Sequence, residues 1–304
     1  AAGDPAGQAG ITDLMAGLLT DGAGSLDAQA FRQRQEDAAA SLGFNASLDR
    51  LTGSLRVLSA NRDEGFELLR LALTEPRFST DMVNQRRAQT IASINQAAQR
   101  PGSVAGRTLM ETLFAGHAYA ADPAGTPEGL AAATPDLLKK RAAELLLRNG
   151  LVVAAVGDID EAELARQLDR SFGLLPTGTL PVLPPQWVPP TKPRVVVVER
   201  PVPQSSALLA LPGIERDDPD WYAALVMNHV LGGGGQQSRL FNEVREKRGL
   251  AYSVSSGLRT YKRAALLVMS TGSANERIAE AIEVIRAEMG RMRSEGVTEA
   301  ELTD

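Results

Sequence analysis

Gly232-Gly233-Gly234-Gly235-Gln236-Gln237-Ser238-Arg239-Leu240-Phe241-Asn242-Glu243-Val244-Arg245-Glu246-Lys247-Arg248-Gly249-Leu250-Ala251-Tyr252-Ser253-Val254 is the stretch on which the reading of this sequence turns. Consecutive glycines cannot sustain a regular element, so Gly232–Gly235 mark a tight loop. After them Leu240, Phe241, Val244 and Arg248 recur at helical spacing, which predicts a short helix. Gly249 ends that helix, because a glycine just past the last periodic residue accepts the left-handed cap conformation. Ala251 to Ser256 then alternates like a half-buried strand.

Around this stretch lies a chain of 304 residues, 43% hydrophobic and 23% charged, a composition that can bury real cores and predicts two domains. The formal net charge of -5 and the absence of any Lys/Arg block argue against a nucleic-acid partner. No run is long and apolar enough to span a bilayer. With no cysteine, disulfides, thiol catalysis and cysteine metal sites are excluded. The opening residues Ala1 to Gly7 do not read as a signal peptide.

Taken in order, residues 10–19 read as a buried helix and residues 25–42 as a second, with Ser25 or Asp27 as N-cap and Phe31, Ala38 and Leu42 on the inner face. Residues 43–48 and 51–58 read as a hairpin. Helices are predicted over 62–73, 79–100 (closed by Pro101-Gly102), 137–147 and 160–172, and a fully buried strand over 151–158. Seven of the seventeen prolines fall between Pro176 and Pro193, a run that favours extended geometry and reads as an interdomain linker. Beyond it, strands are predicted over 194–199, 204–211 and 264–271, and helices over 219–231 and 275–295. The expected division is therefore 1–175, linker 176–193, and 194–304, with the same order of sheet segments and helices on both sides.

The run from Arg239 to Val254 resembles the second-domain signature of the inverted-zincin metallopeptidases, the family of pitrilysin, insulin-degrading enzyme and mitochondrial processing peptidase. Val156-Gly157-Asp158 with Phe172-Gly173, Pro203-Gln204-Ser205 and Pro219 to Gly234 extend the likeness over most of the chain. The resemblance implies an α+β fold of two similar domains, each an antiparallel β-sheet with helices packed on one face. It also implies that Arg245 and Tyr252, seven positions apart, bind the substrate backbone near the scissile carbonyl. Without the surrounding motif, Arg245 reads as a solvated residue paired to Glu243 or Glu246, and Tyr252 as a strand residue capping a core.

The family's metal site is His-x-x-Glu-His on a first-domain helix with a later glutamate as third ligand. The flanks Gly7-Gln8-Ala9 and Met15 place Gly10 and Leu14 where the histidines belong and Asp13 where the general base belongs; the third ligand falls near Ser93 or Ala92. Glycine and leucine cannot bind zinc, so no cofactor is expected in this chain. His117, in a loop, and His229, on an apolar helix face, have no carboxylate at ligand spacing and read as structural residues. The glycine run lacks the Lys-Ser/Thr pair or strand-borne glycine pattern of a phosphate loop; it reads as a substrate-guiding loop, as in the processing peptidase, or simply as the turn before the next helix.

Lost metal ligands beside a retained Arg/Tyr pair predict the non-catalytic subunit of a heterodimeric zinc peptidase. Its partner would be a homologous catalytic subunit bearing His-x-x-Glu-His and zinc, and its substrates peptides. The alternatives are a structural subunit like the core proteins of the respiratory cytochrome complex, in which the pair has no catalytic role, and a stand-alone peptide-binding module. The expected compartment is the periplasm, otherwise the cytoplasm.

Overall fold

A computed structural model describes residues 1–303. In chain order its elements are α1 (Ile11–Leu18), α2 (Ala28–Asp37), β1 (Ser41–Ala46), β2 (Leu51–Arg56), α3 (Arg62–Thr74), α4 (Thr80–Ala97), α5 (Pro101–Leu113), α6 (Pro127–Ala131), α7 (Pro135–Leu145) and α8 (Glu161–Phe172). They continue with β3 (Gln204–Pro212), α9 (Trp221–Asn228), β4 (Ser253–Tyr261), β5 (Ala264–Ala274), α10 (Ile278–Glu295) and α11 (Glu299–Thr303). The fold is mixed α+β. It divides into two compact units, Ala1–Asn95 with Ala121–Leu183, and Gln96–Ala120 with Pro184–Asp304.

In the first unit α1 is apolar nearly all round, and Ile11, Leu14, Met15 and Leu18 are buried in a core shared with Phe31, Leu68, Leu130 and Leu138. Asp27 caps α2, its carboxylate accepting the Ala30 amide at 2.8 Å. β1 and β2 form an antiparallel hairpin with Ser41 opposite Arg56 and Ala46 opposite Leu51. Thr134 caps α7 by accepting the Leu137 amide at 3.2 Å, and Pro135 occupies the first helical position, where its missing N–H costs nothing.

In the second unit β5 is the central strand of an antiparallel sheet ordered β3-β5-β4. Its central place explains its burial: Ala264, Leu266, Val268 and Met269 are all inside, and Met269 shares a core cluster with Ala281 and Ile285 of α10. α5 packs against β3, which draws 96–120 into this unit. An aromatic cluster supports it, with Phe114 edge-on to Tyr119 (5.6 Å) and Tyr261 (5.9 Å). The Trp187 indole N–H donates to the Leu113 carbonyl at 3.0 Å, tying the proline-rich stretch down.

Several expectations change. Residues 151–158 and 194–199 join no ladder, and Val152, Val156 and Val195 stand 95%, 103% and 90% exposed. An apolar run is buried in a sheet only when a neighbouring strand accepts its backbone, and among the described residues none does. Pro101 opens α5 rather than merely closing the helix before it, since proline is well suited to a helix start. α2 stops at Asp37, because Leu42 is committed to β1, opposite Leu55.

Candidate functional site

The loop that opens the signature is held by close packing. α9 runs into a π-helical turn over His229–Gly233, closed by the Gly234 amide donating to the His229 carbonyl at 2.8 Å. Gly232 lies so close to β4 that a Cβ there would sit 2.6 Å from the Ser256 amide nitrogen and 2.7 Å from its hydroxyl. That hydroxyl donates to Asn228 Oδ1 at 2.8 Å, fixing the start of the turn to the sheet. Gly233 and Gly234 lie against Asn228 and His229, while Gly235 has a positive φ of 63° and open space around it.

The predicted helix forms as a second π-helical turn, Phe241–Glu246. Leu240 and Val244 are buried as their spacing predicts, but Arg248 is exposed, because the wider turn rotates it off the inner face. Gly249, at φ 59°, ends the turn. Its amide donates to the Arg245 carbonyl, and the Leu250 amide donates to the Val244 carbonyl, both at 2.9 Å. This is the glycine-capped helix end, widened by one residue to suit the π geometry.

Arg245 and Tyr252 sit on either side of this cap. The Tyr252 amide donates to the Gly272 carbonyl at 2.8 Å, so its backbone is fixed to β5, while its side chain is 63% exposed. Arg245 is exposed, and its guanidinium lies 4.8 Å from the centre of the Phe241 ring. The anionic neighbour that would otherwise hold it is engaged elsewhere: Glu243 accepts from Lys247 and Arg248, each at 2.6 Å, and these bonds hold its carboxyl below the usual range. Neither the guanidinium nor the phenol has a hydrogen-bond partner among the described residues. The aromatic seat under Arg245 was missed in the sequence, although its signal, an aromatic and an arginine four apart on one helix, was present.

At the degenerate metal positions the side chains point to packing. Gly10 precedes α1 with φ 94°, and a Cβ there would stand 2.6 Å from the Ala124 carbonyl oxygen. Its amide donates to Asp4 Oδ2 at 2.9 Å. Leu14 is 3% exposed in the core. Asp13 is half-buried, and burial pushes its carboxyl above the ordinary range despite a backbone hydrogen bond from Ala46. Ser93 is exposed on α4. A zinc ion does not fit these residues: two offer no donor, and the space beside Gly10 is filled by backbone. Arg141 instead ties the region together, donating to Thr12 Oγ1 and to the Gly3 carbonyl, each at 2.9 Å.

The two histidines are placed apart from these positions. His117 Nδ1 accepts the Tyr119 amide at 3.1 Å, so Nε2 carries the proton that bonds the Pro185 carbonyl at 2.9 Å. His229 is exposed at the start of the first π turn, one helical turn after Leu225 and Val226, which are exposed on α9. Among the described residues no group of three His, Asp or Glu side chains could hold a metal ion.

A second feature escaped the sequence reading. Arg239, inside the signature, is buried and reaches Glu301 across 62 positions, with Nη2 donating to Oε2 at 2.6 Å and to the Gly296 carbonyl at 2.7 Å. Glu301 also accepts the Thr298 amide at 2.8 Å, a capping box whose T-x-x-E spacing was visible in the sequence. The Arg239 bonds lead in lowering the Glu301 carboxyl from 4.5 to about 2.

Comparison with known proteins identifies the family. The family described as the Peptidase M16 inactive domain matches residues 132–304, more than half of the chain. An uncharacterized zinc protease of Streptomyces coelicolor is 29% identical over 81% of this chain and 55% of its own length. A non-peptidase homolog of Helicobacter pylori is 30% identical over 81% of this chain and 57% of its own. The chain thus spans little more than half the length of these relatives. The crystal structure of a peptidase M16 inactive domain from Pseudomonas fluorescens has a TM-score of 0.93 and 30% identity, covering 100% of this chain and 74% of that one. With more than half its length within the matched domain, this chain belongs to the peptidase M16, or inverted-zincin, family, as an inactive domain.

Proposed function

We propose that this chain is the non-catalytic subunit of a heterodimeric zinc peptidase and lends Arg245 and Tyr252 to the active site of a homologous partner bearing His-x-x-Glu-His. In this reading the two units are related domains of one plan: the first carries the degenerate zinc positions, and the second carries the Arg/Tyr pair beyond the proline-rich linker 176–193. The observation that carries the reading is the freedom of the pair. Two polar side chains flank a rigid glycine cap, both exposed, with no hydrogen-bond partner among the described residues.

A guanidinium and a phenol held this way are preorganised donors. They bond the carbonyl oxygen of an extended peptide more strongly as that oxygen gains negative charge, and so favour the transition state over the ground state. The metal chemistry belongs to the partner. The Phe241 ring limits where the Arg245 guanidinium can lie, so less freedom is lost when it engages the substrate.

The test is turnover of a quenched-fluorescent peptide by the purified heterodimer. Arg245→Ala and Tyr252→Phe are each expected to lower kcat by about a hundredfold, about 3 kcal/mol, with assembly intact by size-exclusion chromatography. Unchanged turnover in both variants makes the subunit a scaffold instead.

A further inference from the structure

The proline-rich stretch enters the second unit through a segment poor in hydrogen-bond donors. Pro184 and Pro185 have no N–H, the Pro185 carbonyl is the only polar group that residue can offer, and residues 184–187 join no ladder. Three bonds seat the backbone and the indole of this segment. His117 Nε2 donates to the Pro185 carbonyl at 2.9 Å, the Trp187 amide donates to the Arg263 carbonyl at 2.9 Å, and the Trp187 indole N–H donates to the Leu113 carbonyl at 3.0 Å. The Trp187 ring, 8% exposed, lies 5.0 Å from that of Phe114. His117 and Pro185 are 68 positions apart: the chain leaves the second unit after Ala120 and returns to it at Pro184, so this bond fastens the returning segment beside the departing one.

The bond to Pro185 requires a neutral ring. Nδ1 accepts the Tyr119 amide at 3.1 Å, which places the single ring proton on Nε2. A doubly protonated imidazole has no acceptor: its Nδ1–H meets the Tyr119 N–H donor against donor, and the ring must turn away, taking Nε2 off the Pro185 carbonyl. The backbone that carries the ring holds without it, the His117 amide donating to the Phe114 carbonyl at 2.8 Å and the Ala120 amide to the His117 carbonyl at 3.0 Å. The Phe114 and Tyr119 rings stand 5.8 and 4.7 Å from the imidazole. They contact it in either charge state, whereas only the neutral ring accepts at Nδ1. The charged and titratable groups on the surrounding elements are Arg107 and Glu111 on α5, Tyr119, Tyr261, Lys262 and Arg263 at the β4–β5 turn, and Glu215, which accepts from Gln186 at 2.9 Å. Among the described residues no carboxylate bonds the imidazole, so none offsets the lost acceptor.

We infer that His117 is an acid-operated latch: the neutral ring fastens Pro185 and so keeps Trp187 seated, and the protonated ring releases residues 184–187 from the aromatic cluster. Imidazoles take up their second proton between about pH 8 and pH 5, so the segment is seated at the upper end of that range and freed at the lower. The latch is independent of Arg245, of Tyr252 and of any partner chain.

Trp187 serves as its own reporter. The chain has two tryptophans, and Trp221→Phe leaves Trp187 alone. Quenching of its fluorescence by acrylamide is expected to rise several-fold from about pH 8 to about pH 5, with far-UV circular dichroism unchanged. In the same background His117→Gln, whose amide reaches toward the same carbonyl and does not titrate, should give equal quenching at both ends of the range. A second variant serves if that substitution unfolds the chain: His229→Gln leaves His117 as the only histidine, and the midpoint of its ring-proton titration by NMR should coincide with that of the quenching change. Equal quenching of the Trp221→Phe chain at both ends of the range overturns the inference, as does a pH response that persists in folded His117→Gln, or two midpoints that fall apart.

Discussion

At the start of α1, Gly10 holds a left-handed backbone against the Ala124 carbonyl and Leu14 disappears into the core; at the end of the second π turn, Arg245 and Tyr252 face outward around an equally fixed left-handed glycine. The family resemblance assigns the first region to the metal and the second to substrate, and in both a left-handed glycine fixes the backbone. They differ in what the rigidity serves. In the first, backbone and apolar side chains have closed over the space a metal would need. In the second, the backbone is tied to β5 while the polar ends are left free. On the proposed function, a lost site acquires the signs of packing, whereas a site in use keeps unpaired donors on a stiff frame.

The strongest test of this contrast is reconstruction of the metal site. Gly10→His/Asp13→Glu/Leu14→His is expected to lose about 4–6 kcal/mol in urea denaturation, because an imidazole replaces a core leucine and a Cβ is forced into the left-handed region. Zinc should not restore that loss. A folded triple variant that retains one zinc through equilibrium dialysis would break the comparison.

Next in size is the loop beside the Arg/Tyr pair. Gly232→Ala places a Cβ 2.6 Å from the Ser256 amide and is expected to cost about 2 kcal/mol, whereas Gly235→Asn, in open space at φ 63°, should be nearly neutral. Equal effects in chemical denaturation would mean that the loop is not seated on β4.

A smaller effect is expected at Glu301. Its folded pKa is depressed, so the stability it contributes is fully present above 4.5 and is lost as pH falls toward about 2. Glu301→Gln should remove about 1–2 kcal/mol at neutral pH and flatten the acid limb of the stability profile. A profile identical to that of the parent chain would detach Arg239 from any role in holding the signature.

The smallest expected change sharpens the contrast most. Arg245→Ala and Tyr252→Phe should each alter folding free energy by less than about 0.5 kcal/mol, since neither side chain supports the fold through a hydrogen bond. A loss above about 1 kcal/mol in either would recast that residue as structural.

Legibility in the sequence followed the range of the interaction. The Asp27 cap, the Gly249 stop, the buried helix at 11–18 and the hairpin at 41–56 are set by neighbours a few residues apart, and they were read close to where they lie. The valines of 151–158 and 194–199 were misread because an apolar run looks the same whether or not a strand lies beside it. β5, with a comparable composition, is buried because β3 and β4 flank it. The bond between Arg239 and Glu301, and that from the Arg263 amide to the Tyr119 hydroxyl at 3.2 Å across 144 positions, leave no local trace.

The sequence alone determined that Gly10 and Leu14 cannot bind zinc through their side chains, because glycine and leucine offer no ligand in any conformation. It also determined that an arginine and a tyrosine lie a fixed seven positions apart around a glycine stop. Only the tertiary structure decided that the space beside Gly10 is closed by Ala124 and that Arg239 is held by Glu301 across 62 positions. Those outcomes depend on which of several competing partners comes within a few ångströms, a contest settled by packing rather than by residue type.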